Sequence, residues 1–150
     1  MKKLFALVTV VVLVGCASAP EKHEADAKMN DLVMYALSLA ETPYSYGGNN
    51  PDRGFDCSGY VGHVYRHELN ISLPRTSKGI SRVGQPVSKN ELRLGDLVFY
   101  NTLRDPFSHV GIYIGEGKFV HSPKSGDRIR VEHMDLRYWQ TRYNGARRIR

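Results

Sequence analysis

The feature that most limits how this chain can fold is a change of hydrophobic period near its middle. Residues 26–41 set Met29, Leu32, Val33, Ala36, Leu37 and Ala40 at helical spacing, and Pro43 closes the run. Residues 43–54 are dense in turn formers. Residues 55–69 then give a second helical stripe, Val61, Val64, Tyr65 and Leu69, with Asp56 placed to cap it. Leu73-Pro74-Arg75 breaks the chain, and Thr76 or Ser77 caps a short helix running to Val83. Beyond residue 96 the period falls to two. Residues 97–100, 109–114 and 118–122 are short β-rich runs, punctuated by Gly95-Asp96, Gly115-Glu116-Gly117 and Gly126-Asp127. In residues 128–133, Ile129 and Val131 fall on one face, and Arg128, Arg130 and Glu132 on the other. Residues 138–149, aromatic and basic, add an edge strand. Helices first and strands after predict an α+β domain, with N-terminal helices packed on an antiparallel meander.

The length, 150 residues, allows one such domain and a short appendage. The appendage is N-terminal. Lys2 and Lys3 precede an apolar run, residues 4–14, too short to span a bilayer as a helix but suited to a secretory signal peptide. Ala17-Ser18-Ala19 offers an ordinary cleavage site, which would leave Pro20 first in the mature chain and fit an extended cleavage register badly. Leu13-Val14-Gly15-Cys16 resembles a bacterial lipobox, which would make Cys16 the lipidated first residue. The domain reading is therefore a lipoprotein signal peptide over 1–15, lipidated Cys16 and a flexible tether over 16–28, and a folded domain over 29–150. The formal charge of +6 falls to +4 without Lys2 and Lys3. That excess suits an anionic envelope and is too small, with no basic stripe, to indicate nucleic acid.

The chain has two cysteines, Cys16 and Cys57, which excludes a disulfide-stapled scaffold and a four-cysteine zinc site. Cys57 sits where loop becomes helix. A helix N-terminus favours thiolate over thiol, and such cysteines titrate at about 3.5–7.5. Local features leave a nucleophile level with a small buried cysteine, and a bridge to Cys16 is a further reading.

A thiol nucleophile needs a base and a group to orient it. His23 lies in the tether, and His133 in the alternating strand. His63 and His67, four apart on one helix, lack a third ligand and the glutamate of HExxH, so a solvated face is the simpler reading. His109 opens one predicted strand and His121 ends the next. A three-residue turn at Gly115-Glu116-Gly117 would pair Gly111 with His121 and set both histidines on one sheet face; a two-residue turn would break that parity. Gly111, without a side chain, would then let a helix end approach that face.

Pro43-Tyr44-x-x-Gly47-Gly48, Asp56-Cys57-Ser58-Gly59, Leu73-Pro74-Arg75, Gly95-Asp96-Leu97-Val98, His109-Val110-Gly111-Ile112-Tyr113 and Phe119-Val120-His121 occur in this order. Together they resemble the NlpC family of bacterial cell-wall cysteine peptidases. With Tyr138-Trp139 and Ala146-Arg147-Arg148, they are most similar to its Spr murein endopeptidase subgroup. The resemblance implies a papain-like core, Cys57 as nucleophile, His109 as base and His121 as the residue orienting it. It also implies Tyr44 beside the oxyanion site, and Asp56 and Ser58 near the substrate-binding end of the cleft.

The expected activity is hydrolysis of peptidoglycan stem-peptide or cross-link amides through a thioester, with no cofactor and no metal. The expected partners are peptidoglycan and, through Cys16, a membrane. A monomer held at the periplasmic face of an outer membrane is expected. The competing readings are acyl transfer by the same thiol, a non-catalytic wall-binding lipoprotein, and metal binding by Cys57, His109 and His121.

Overall fold

A computed structural model describes residues 19–150. The signal peptide over 1–15 and Cys16 lie outside the described residues. Helix α1 spans Ala19–Ser38, seven residues earlier than its apolar stripe predicts. Residues 19–28, expected as a flexible segment, are helical. The physical reason is local. Alanine and glutamate are good helix formers, proline is tolerated in a first turn whose N–H groups have no intrahelical partner, and Lys28 pairs with Glu24 one turn back at 2.9 Å. Residues 23–28 are all exposed, so tertiary burial does not hold this part of the helix.

The turn-rich segment after α1 is a small hairpin, β1 (Asn49–Asn50) against β2 (Gly54–Phe55). Helix α2 (Cys57–Leu69) follows directly, capped by Asp56, whose carboxylate accepts from the Gly59 N–H at 2.7 Å. Asn70 ends it in the left-handed region at φ 55°. Thr76 caps α3 (Ser77–Ile80).

A six-stranded sheet completes the domain. Its strands are β3 (Gln85–Val87), β4 (Leu97–Tyr100), β5 (His109–Gly115), β6 (Lys118–His121), β7 (Arg130–His133) and β8 (Tyr143–Arg148). A one-turn helix, α4 (Arg137–Gln140), precedes β8. The spatial order is β3-β8-β4-β5-β6-β7, so β4 to β7 form the predicted meander. The C-terminal strand is not an edge. It lies between β3 and β4, pairing Ala146 with both Val87 and Val98.

Strand alternation divides the core between two faces. Val110 and Ile112 of β5 and Val120 of β6 pack with Leu32, Val33 and Ala36 of α1 and Tyr60, Val61 and Val64 of α2. Phe119 of β6, with Val98 and Tyr100 of β4, packs on the opposite face against Met134, Trp139 and Ala146. In β7 the predicted alternation is displaced. Ile129 is fully buried but precedes the strand, Val131 is exposed, and Glu132 is the residue that turns inward. Among the described residues, no helix is long and apolar enough to cross a membrane.

Candidate active site

His109 is the first residue of β5 and His121 the last of β6, so antiparallel pairing brings both to one end of the sheet. The predicted parity holds, by a different route. Gly115 pairs with Lys118, which makes the turn a two-residue one, and a bulge between Tyr113 and Gly115 restores the register to Ile112↔Val120. Both histidines are buried, and His109 Nε2 lies 2.7 Å from His121 Nδ1. A Cβ on Gly111 would stand 2.7 Å from the Phe119 ring and 3.2 Å from the His121 Cβ. Gly111 thus makes room for β6 side chains rather than for a helix end.

Trp139 closes over the pair. Its ring stacks on His109 at 5.7 Å between centroids and meets His121 edge-on at 5.0 Å. Sequence reasoning passed over Trp139 except as part of the closing motif. It also assigned Glu132 to the outer face. Glu132 accepts from Trp139 Nε1 at 2.6 Å and from Arg130 Nε at 2.7 Å, and its Oε1 stands 3.8 Å from His121 Nε2. Contact with His121, together with the Trp139 and Arg130 hydrogen bonds, holds the Glu132 carboxyl down at about 2. The inward turn of an acidic residue beside a buried tryptophan carried no signal in the alternation pattern.

Cys57 opens α2 at the same end of the sheet. The backbone N–H of Val110, the residue after His109, favours its thiolate, as do those of Ser58 and Cys57 itself. These groups do not win. Burial, reinforced by the Asp56 carboxylate, pushes the thiol up to about 11. The helix N-terminus was expected to lower it; desolvation outweighs that effect here. Burial lowers His109 well below its ordinary 6.5, with His121 adding to the shift, and burial likewise lowers His121. At neutral pH the resting groups are a thiol and two neutral imidazoles. Because His109 Nε2 is engaged by His121, Nδ1 is the His109 ring nitrogen that His121 leaves free.

Tyr44 lies within electrostatic reach of Cys57, Asp56 and Arg75, and burial raises its phenol. Asp56 is already occupied. Besides capping α2, it receives Arg75 Nη1 and Nη2, each at 2.8 Å, and the Gly47 N–H at 3.1 Å. Burial opposes its ionisation, but the Arg75 and Gly59 hydrogen bonds prevail and hold its carboxyl below the ordinary range. Ser58 donates to the Arg75 carbonyl at 2.7 Å. Arg75 Nη2 reaches the Gly48 carbonyl at 3.1 Å, tying hairpin to helix. A side chain on Gly59 would collide with that same carbonyl, which explains the glycine after Cys57-Ser58. Asp56 and Ser58, expected near substrate, thus also hold the wall of the site together.

His63 and His67 remain apart from this centre. His63 Nε2 meets the Tyr35 hydroxyl at 2.8 Å, and the His67 ring stacks on Tyr35 at 3.9 Å. Among the described residues, no group of three or more His, Cys, Asp or Glu could hold a metal ion.

A profile of the NlpC/P60 family matches residues 41–148. Murein DD-endopeptidase MepH of Escherichia coli (strain K12) is 44% identical over 110 residues, which cover 71% of this chain and 41% of that protein. Probable endopeptidase NlpC of the same strain is 35% identical over an alignment covering 99% of this chain and all of that protein. The crystal structure of an NlpC/P60 family protein from Bacillus cereus ATCC 10987 superimposes with a TM-score of 0.75 at 33% identity, over 80% of this chain and 39% of that one. The chain thus spans less than half the length of MepH and of that crystallised chain.

Proposed function

The chain belongs to the NlpC/P60 family, and on that premise we propose that it is a cysteine-type peptidoglycan endopeptidase cutting stem-peptide or cross-link amide bonds. The observation that carries this reading is the buried His109–His121 pair, 2.7 Å apart at the sheet end where Cys57 opens α2. The murein endopeptidase name of the MepH relative supports the substrate class.

In this mechanism Cys57 Sγ attacks the amide carbonyl carbon while its proton passes to His109 Nδ1. The oxyanion meets the Cys57 backbone N–H and the Tyr44 hydroxyl, donors of a kind worth about 3–4 kcal/mol each in other hydrolases. The imidazolium of His109 then protonates the departing amine as the C–N bond breaks and a thioester forms. Water, deprotonated by the same ring, cleaves the thioester and restores the thiol. His121 holds His109 in orientation throughout. A thiol held near 11 makes His109 a true general base rather than half of a resting ion pair.

Purified protein is expected to release soluble fragments from isolated peptidoglycan. Stoichiometric alkylation of Cys57 should abolish that release, and chelator should leave it unchanged. Because the free thiol is raised, its alkylation rate should climb about tenfold per pH unit from pH 7 to pH 10. Activity after full alkylation, or loss with chelator, would each count against the thiol mechanism, whereas a plateau below pH 8.5 would contradict only the raised thiol.

We further infer that the protein is a lipoprotein. Cys16 follows a lipobox-like Leu13-Val14-Gly15, which supports lipidation there. A diacylated N-terminus would anchor it firmly, since each buried methylene contributes about 0.8 kcal/mol. Ala17 instead of aspartate after that cysteine supports retention at the periplasmic face of an outer membrane. In a host with such a membrane, the full chain should incorporate labelled palmitate and fractionate with the outer membrane, and Cys16→Ser should abolish both. An unlabelled, freely soluble wild-type protein would refute the anchor.

A further inference from the structure

His121 is fully buried, and only one of its ring nitrogens is satisfied. Nδ1 meets His109, whereas Nε2 has no hydrogen-bond partner. What Nε2 faces is the Glu132 carboxylate, at 3.8 Å. That carboxylate is fixed at both oxygens, by Arg130 Nε and Trp139 Nε1, and Arg130 Nη1 is held in turn by Asp127 Oδ2 at 3.1 Å.

We propose that Glu132 is a positioning residue that sets the tautomers of the His121–His109 pair, and so leaves His109 Nδ1 as the base for Cys57. A carboxylate facing Nε2 favours the His121 proton on that nitrogen. His121 Nδ1 is then a lone pair and must accept from His109 Nε2–H. His109 Nδ1 is left unprotonated, which is the state the attack by Cys57 requires. In the opposite arrangement His121 Nδ1–H donates to His109 Nε2. The His109 proton then sits on Nδ1, which has no lone pair left to take the Cys57 proton. The division of labour is physical. Trp139, packed on both rings, fixes where they lie, and Glu132 fixes which nitrogen carries the proton. The charged or titratable groups acting on His121 are His109, Glu132, Arg130 and Asp127. The 3.8 Å gap is longer than a hydrogen bond, so the influence is electrostatic at rest.

The inference rests on the cysteine-peptidase reading but can be tested apart from it. Ring ¹⁵N shifts of the wild-type protein above pH 7 should show both His109 and His121 protonated on Nε2. Glu132→Gln keeps the shape and can still accept from Trp139, but its amide no longer favours a proton on Nε2. That variant should show mixed tautomers, kcat lowered about tenfold or more with KM unchanged, and a melting temperature within a few degrees of wild type. Wild-type His121 protonated on Nδ1 would overturn the proposal whether or not the variant folds. So would a Glu132→Gln variant with wild-type tautomers, or with kcat within twofold of wild type. If the wild-type protein cuts no peptidoglycan, the functional reading fails, and the shifts still decide the tautomers.

Discussion

Cys57→Ala should reduce kcat/KM on a cross-linked muropeptide by about 10⁴-fold or more, the scale on which serine hydrolases fail without their nucleophile. The loss should appear in kcat, because among the described residues the neighbouring Ser58 and Ser122 hydroxyls already donate to backbone carbonyls. His109 precedes Val110, whose N–H faces the thiol, but it is buried and bonded to His121, and Tyr44, its phenol raised by burial, is a poorer nucleophile than a thiol. The fold should survive. Cys57 keeps part of its surface open, although its sulfur lies deep enough for desolvation to dominate its titration, and it packs at the margin of the helix-side core, so removing its sulfur should cost about 1 kcal/mol. Circular dichroism and thermal melting on the same preparation separate lost chemistry from lost structure. Residual activity within tenfold of wild type would exclude Cys57 as nucleophile.

His109→Gln should be nearly as severe, with kcat lowered about 10³-fold or more. Glutamine can still donate to His121 Nδ1, so it spares the fold while removing the base. His109→Ala would leave a buried His121 nitrogen unmatched, at about 1–3 kcal/mol, and would confuse the two effects. The pH profile adds a second readout. The base works only when neutral, and burial lowers the His109 pKa well below 6.5. Lowering the pKa of a base extends its neutral form to more acid solution. The acid limb of the wild-type kcat/KM profile should therefore lie clearly below pH 6.5, and His109→Gln should lack it. A wild-type limb at or above pH 7 would contradict the burial of His109.

The residues that meet at the candidate site were more legible in the sequence than the sheet that positions them. Asp56, Cys57 and the α2 stripe declare themselves because a cap, a helix start and a helical period are local signals. Pairing of His109 with His121 was legible only as a parity argument, and its turn was misread. The structure reaches the same parity through a bulge, which no residue type announces. β3 is three residues long and contains Pro86, too little to show a period, so the C-terminal strand looked like an edge. Glu132 was lost for a related reason. Counting alternation from Ile129 assumes that the strand has already begun, whereas it begins at Arg130. The Trp139 indole, donating from α4, belongs to a contact that no strand pattern encodes. The early start of α1 was hidden because an exposed helix has no apolar stripe to betray it. The Cys57 thiol shows the limit of a positional argument, because the helix end can be read from sequence and the depth of burial cannot.

Every role proposed for these residues depends on this thiol hydrolysing an amide of peptidoglycan. The direct measurement is mass spectrometry of fragments released from purified murein sacculi in H₂¹⁸O, by wild type and by Cys57→Ala in parallel. Wild type should yield stem-peptide fragments with one ¹⁸O in the newly formed carboxyl group, and the variant should yield none. Equal release by both proteins, or products with intact stem peptides and cut glycan, would contradict it.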